Sequence, residues 1–195
     1  MNFDPPQASS LLGPLFSKSS IFLISDRETN LSFARVLLGQ ILSPNMNCLI
    51  VDIDAFYASH AEELDHCAGW SNTTIYVPDV VCDTREVVHT MIAKGHNNIL
   101  IIDNVNSLFH MLSHETPQVA SRKLALIMAV LSKHARASHL AAVSIMYERR
   151  FASPTTNRQP LSELGDALVS VRRRGTGLVF NVRRGEVWAG GTYEV

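Results

Sequence analysis

The chain is 195 residues long, 46% hydrophobic and close to neutral at −1, which suits one domain, residues 1–195, with a sizeable buried core. No run of about 18 uncharged apolar residues occurs, and Met1 to Ser10 has neither a basic start nor an apolar signal core, so a cytoplasmic chain without a membrane span is expected. The charge is uneven: 9 Lys and Arg against 14 Asp and Glu over residues 1–148 give −5, while 8 Arg against 4 acids over 149–195 give +4. The basic end is a candidate anion surface.

After a lead containing Pro and Ser, Ile21 to Ser25 (IFLIS) is a short apolar run followed by a polar turn, and Leu31 to Leu42 carries apolar residues at helical spacing. That reads as strand, loop, helix. Asn47 to Asp52 is a second apolar strand ending in acids, Thr73 to Val77 a third, Thr84 to Lys94 a helix and Asn98 to Asp103 a fourth strand. The longest helix, Val119 to Ala137, places Leu124, Ile127, Met128 and Leu131 on one face and leads into a fifth strand, His139 to Met146. Apolar strands alternating with helices imply a parallel sheet. Arg149 to Leu164 is rich in Pro, Ser, Thr and Asn, and is expected to be a mobile loop. Beyond it, Ala167 to Arg172, Gly177 to Arg183 and Glu186 to Ala189 read as short strands joined by turns at Arg174-Gly-Thr-Gly and Arg184-Gly185, hence antiparallel hairpins at one sheet edge.

The first strand-loop-helix is where a phosphate-binding loop would lie, with glycines freeing backbone N–H groups and a lysine neutralising the phosphates. Aligned with G-x-x-x-x-G-K-[ST], Ser25 and Asn30 stand for the glycines, Leu31 for the lysine, and only Ser32 matches. A leucine cannot compensate phosphate charge, and Asp26 and Glu28 would repel it. The fourth strand ends in Asp103, an acid at the strand edge where a nucleotide-bound Mg²⁺ would sit.

Asn98-Ile-Leu-Ile-Ile-Asp103, with Ser107, Leu108 and Phe109 in the turn after it, then a long helix and another apolar strand, resembles the RecA/RadA recombinase family. Leu49 to Phe56 is similar to the family's strand that ends near its catalytic glutamate, with Asp54 close to that position but the alignment one residue short around Ala55. The resemblance runs from about Ser20 to Gly190 and implies a RecA-like three-layer α/β/α fold with a mostly parallel sheet and C-terminal antiparallel hairpins. Against the family pattern, the sensor stretch Val143 to Met146 lacks the usual amides and no phenylalanine begins a Phe-x-x-Ala segment, so a self-assembling filament is unsupported.

The resemblance then implies a non-catalytic paralog, a pseudo-ATPase without cofactor that assists DNA recombination or repair by binding single-stranded DNA, an active recombinase or both. Its degenerate nucleotide site would comprise Ser25, Asn30, Leu31, Ser32, Asp54 and Asp103. Its nucleic-acid contacts would come from Arg149, Arg150, Arg158, Arg172, Arg173, Arg174, Arg183 and Arg184, with Tyr147 and Phe151 as stacking faces. The same arginines could instead keep a sheet edge soluble. One alternative is an ATPase-silent scaffold subunit of a RecA-fold hetero-oligomer with no DNA role. Another is a nucleotide enzyme using Asp54, Asp103 and Ser32 around Mg²⁺ with Arg27 turned inward. Cys48, Cys67 and Cys82 form no C-x-x-C pair; buried thiols are expected, and His60, His66, Cys67 and Cys82 fit no structural zinc spacing.

Overall fold

In the computed structural model, the residues described are 20–42, 46–79, 84–93, 99–112, 116–147, 167–184 and 187–194. The strands are β1 (Ser20–Ile24), β2 (Cys48–Asp52), β3 (Thr73–Tyr76), β4 (Ile99–Asp103), β5 (Ala141–Tyr147), β6 (Ala167–Arg174), β7 (Gly177–Arg184) and β8 (Val187–Glu194). The helices are α1 (Arg27–Val36), α2 (Phe56–Ser59), α3 (Ala61–Leu64), α4 (Thr84–Ala93), α5 (Val105–Met111) and α6 (Pro117–Ala137). One 8-stranded sheet has the order β3-β2-β4-β5-β1-β6-β7-β8. It is parallel from β3 as far as β6 and antiparallel from β6 to β8.

The apolar runs of β2 and β4 are continuous because both faces of the sheet are covered. Cys48, Ile50, Ile99 and Ile101 point into a cluster with Phe33, Leu37 and Leu38 of α1 and its continuation, and with Tyr57 and Leu64. Leu49, Val51, Leu100 and Ile102 point the other way, against Val87 and Met91 of α4, Leu108 of α5, and Leu124, Met128 and Leu131 of α6. This is the three-layer α/β/α arrangement expected from the strand-helix alternation. Ile127, expected on the buried face of α6, packs at the margin of that cluster.

Several boundaries moved for identifiable reasons. Helix α1 starts at Arg27 rather than Leu31, because Asp26 caps it: its carboxylate accepts the Thr29 N–H at 2.8 Å. It then widens into a π-helical turn, Leu37–Ile41, in which the Leu42 N–H reaches back to the Leu37 carbonyl. The Leu38 carbonyl accepts the Gly69 N–H at 2.7 Å. A Cβ at Gly69 would lie 2.7 Å from that carbonyl oxygen and 2.8 Å from Leu42 Cβ. Gly69→Ala is therefore expected to cost about 1–3 kcal/mol, as overpacking does; a thermal unfolding midpoint equal to that of the parent chain would refute this.

The stretch Ser107 to Phe109, expected as a turn, is helical in α5, which Asn104 caps by accepting the Ser107 N–H at 2.8 Å. Strands β6 and β7 run on to a tight turn at Gly175 and Thr176, where Gly175 takes φ +62°, a left-handed conformation that suits glycine. β8 extends to Glu194 through Gly190 and Gly191, which pair with Asn181 and Phe180; ladder pairing outweighs the weak strand propensity of glycine.

Candidate functional site

The C-terminal ends of β1, β2, β4 and β5 meet where the first loop, the second strand's acids and Asp103 converge. Only Ser25 and Asp26 lie between β1 and α1. The Ser25 hydroxyl donates to Asp26 Oδ2 at 2.8 Å and lies 2.9 Å from the Thr29 hydroxyl. The Asn30 N–H donates to the Asp26 carbonyl at 3.1 Å, an ordinary helical bond. The amides that a phosphate-binding loop would hold open are thus used internally, and a carboxylate of the chain itself occupies the helix N-terminus, where an anion is favoured.

Asn30 is fully buried and its side chain faces inward. Its Nδ2 donates to Asp103 Oδ2 at 3.1 Å and to the Tyr147 hydroxyl at 2.8 Å. One amide therefore joins α1 to the ends of β4 and β5. Asp103 is 1% exposed. Burial pushes its carboxyl up to about 7; the Asn30 bond opposes this, while the charges of Asp52 and Asp54 add to it. Among the described residues, Asp103 Oδ1 and Asn30 Oδ1 are buried without a hydrogen-bond partner, as is the Tyr57 hydroxyl, which burial and then the Asp103 charge hold well above the usual phenol range.

The neighbouring acids divide their roles. Asp52 is buried and accepts the Phe56 and Ala58 N–H groups at 2.7 and 2.9 Å, fixing α2 to the end of β2. Burial raises its pKa against those hydrogen bonds. Asp54 is exposed and accepts the Asn104 side-chain amide at 2.5 Å. Ala55, next in the chain, adopts φ 54°, left-handed for a residue with a Cβ. The Asp103–Asn104 peptide bond is cis. Asn106 accepts the Tyr147 N–H at 2.8 Å, which ties α5 to the end of β5.

Of the six residues expected around the nucleotide position, Asn30 and Asp103 are in direct contact, Ser25 lies at the start of α1 and Asp54 at the rim. Leu31, on α1, packs against the core, and Ser32 is half-buried on the same helix. Asp103 ends β4 at the strand edge, buried, with the Asn30 amide bonded to it. Residue types alone missed Asp52, Asn104 and Tyr147. The available signal was an asparagine, a two-sided hydrogen-bonding side chain, in a glycine's place.

The arginines separate. Arg149, Arg150 and Arg158 lie outside the described residues, as do Phe151 and the whole 149–164 segment. Arg184 ends β7. Arg173 lies on the α1 side of the sheet, 3.2 Å from the Glu28 carboxylate, whereas Arg172 and Arg174 alternate to the opposite side. The three therefore do not share one face of the sheet.

Cys48 and Cys67 are buried free thiols, and burial raises the pKa of both. His60 hydrogen-bonds to the Phe56 carbonyl and stacks on the Phe56 ring, while Cys82 is outside the described residues. Among the described residues no group of three or more His, Cys, Asp or Glu side chains is placed to hold a metal ion, and no helix is long and apolar enough to cross a membrane.

No family model and no curated protein matches the sequence. Among solved structures, the RadB recombinase is similar to the chain with a TM-score of 0.67 and 13% identity, over 97% of each chain. The fold is RecA-like.

Proposed function

We propose that the chain is a non-catalytic RecA-like protein acting in DNA recombination or repair, and that it binds single-stranded DNA rather than turning over nucleotide. The observation that carries this reading is the Asn30 amide, which joins Asp103 to Tyr147 across the space that nucleotide phosphate and its cation would need. The surroundings support it. The Thr29 and Asn30 N–H groups are engaged by Asp26, Leu31 offers no charge, and Asp103 is buried, so the residues present do not fit nucleotide-bound Mg²⁺. With the chemistry of that site removed, the remaining charged feature is the arginine-rich end of the sheet, suited to weak, salt-dependent binding of a phosphate backbone.

The test has two arms. Labelled single-stranded DNA is expected to bind at low salt, to weaken steeply with added salt and to be indifferent to ATP with Mg²⁺. Hydrolysis of ATP that requires Mg²⁺ and is abolished by Asp103→Ala would overturn the non-catalytic half of the reading. A second reading, a scaffold subunit in a RecA-fold hetero-oligomer, is favoured by the exposed apolar residues Val119, Leu126 and Val130 on α6, Leu126 being 65% exposed. Stable co-elution with a RecA-fold partner, combined with no affinity for DNA, would support it over the first.

A further inference from the structure

Helix α6 turns one side to the core and another to solvent. Ala120, Leu124, Met128, Leu131 and Ala135 are buried in the cluster that holds Leu49, Val51, Leu100 and Ile102 of the sheet. On the opposite side, Val119, Arg122, Leu126, Val130 and Lys133 follow one another at steps of three or four residues and so form a row along the helix. All five are exposed, Leu126 at 65% and Val119 and Val130 at 39% each. Apolar side chains exposed singly are ordinary, whereas a continuous row is the mark of a contact surface. At 1.5 Å per residue the row is roughly 21 Å long.

The charge of this helix has a single sign. Its 21 residues include Arg122, Lys123, Lys133 and Arg136 and no acid, in a stretch of chain, residues 1–148, that carries −5 as a whole. Among the described residues, Arg122 and Lys133 are bonded to no other side chain. They stand one turn from Leu126 and Val130, respectively, within the row itself.

From this pattern we infer that the outer face of α6 docks an acidic amphipathic helix of a partner protein, with apolar residues over Val119, Leu126 and Val130 and carboxylates on Arg122 and Lys133. Anchors at the spacing of successive helix turns are what a docked helix presents. Opposite charge beside those anchors selects an acidic partner and disfavours a basic one. A second copy of the same face does not meet this requirement. In every register of two paired α6 helices, Arg122 and Lys133 would enter the interface with no acid to face, because α6 has none. A phosphate backbone would answer the two cations but leave Leu126, the most exposed apolar residue of the row, without an apolar partner. The surface is independent of the single-strand reading above and goes beyond it.

The experiment uses the full chain and two fluorescein-labelled synthetic helical peptides of about 16 residues, a length that matches the row. One carries Leu at i, i+4, i+7 and i+11 with Glu at the flanking positions; the other is identical but has Lys for each Glu. In anisotropy titrations at low salt the acidic peptide is expected to bind about tenfold or more tighter than the basic one. Leu126→Glu is expected to weaken the acidic peptide by about tenfold or more, as loss of a central anchor does. The double substitution Arg122→Glu, Lys133→Glu is expected to reverse the preference in favour of the basic peptide. Circular dichroism and thermal melting confirm the fold of each variant. No binding of the acidic peptide up to about 1 mM, or equal binding of both peptides, overturns the inference, as does acidic-peptide affinity unmoved by Leu126→Glu. A dimer in sedimentation that Leu126→Glu dissolves, or binding to phosphatidylserine vesicles without binding to the acidic peptide, gives the face to a second copy or to a lipid surface and overturns it as well.

Discussion

Raising the pH from 5 to 8 is expected to destabilise the protein, and Asp103→Asn is expected to remove most of that loss. Asp103 is almost wholly buried, and burial pushes its pKa up to about 7 from an ordinary value near 4. Between those values the folded chain holds a proton that the unfolded chain has released. Stability therefore falls as pH rises through the window and levels off above about 7. The most this group can contribute is of order 4 kcal/mol; relaxation and water entry make about 2 kcal/mol between pH 5 and 8 a reasonable expectation. Asp52, raised in the same direction, acts in the same sense.

Urea unfolding at the two pH values decides the matter. A parent chain equally stable at both, or an Asp103→Asn chain with the parent's slope, would mean that the buried carboxyl does not carry the effect. A companion variant sharpens the test. The Asn30 bond stabilises the ionised carboxylate, so Asn30→Ala should cost more at pH 8 than at pH 5, and the difference should vanish in the Asp103→Asn background.

Asp52→Ala should be as damaging, by another route. Its carboxylate is the acceptor for two N–H groups at the start of α2, from Phe56 at 2.7 Å and Ala58 at 2.9 Å. Truncation leaves a buried donor and a part-buried one with no acceptor in reach, costing about 2–5 kcal/mol in all. Asp52→Asn keeps one acceptor oxygen and should lie about midway by the same reasoning. Hydrogen exchange at Phe56 and Ala58 should accelerate in the alanine variant even below the unfolding transition. A loss under about 1 kcal/mol, with both amides still protected, would show that the surrounding backbone satisfies them without Asp52.

The two carboxylates two residues apart therefore carry different burdens. Asp52 is structural, and Asp54, at the rim and bonded to Asn104, is the member left facing solvent. The end of β2 explains the difference: Asp52 is its last residue, and the chain then turns and bends through the left-handed Ala55, which leaves Asp54 beyond the strand. The place of Asp54 near the family's glutamate followed from sequence position; the bend decides that α2 closes over Asp52 instead.

The sequence alone determined the layered architecture. The uncharged runs at Leu49 to Val51 and Ile99 to Ile102 can be buried on both sides only in a parallel sheet sandwiched by helices, and the 3.6-residue repeat of α6 marks the helix that covers one face. It also determined what the first loop lacks, since no arrangement of Leu31 supplies the charge of a lysine. What it could not determine depends on contacts between distant segments. Asn30 and Asp103 are 73 positions apart, and Asn30 and Tyr147 are 117 apart; no local pattern announces that one amide serves both. The division of Arg172, Arg173 and Arg174 needed the strand to continue to the turn, because only an extended backbone sends neighbours to opposite faces. Local propensity and periodicity are properties of a short segment, whereas the contacts of Asn30 and the face each arginine takes are set by which segments the folded sheet brings side by side.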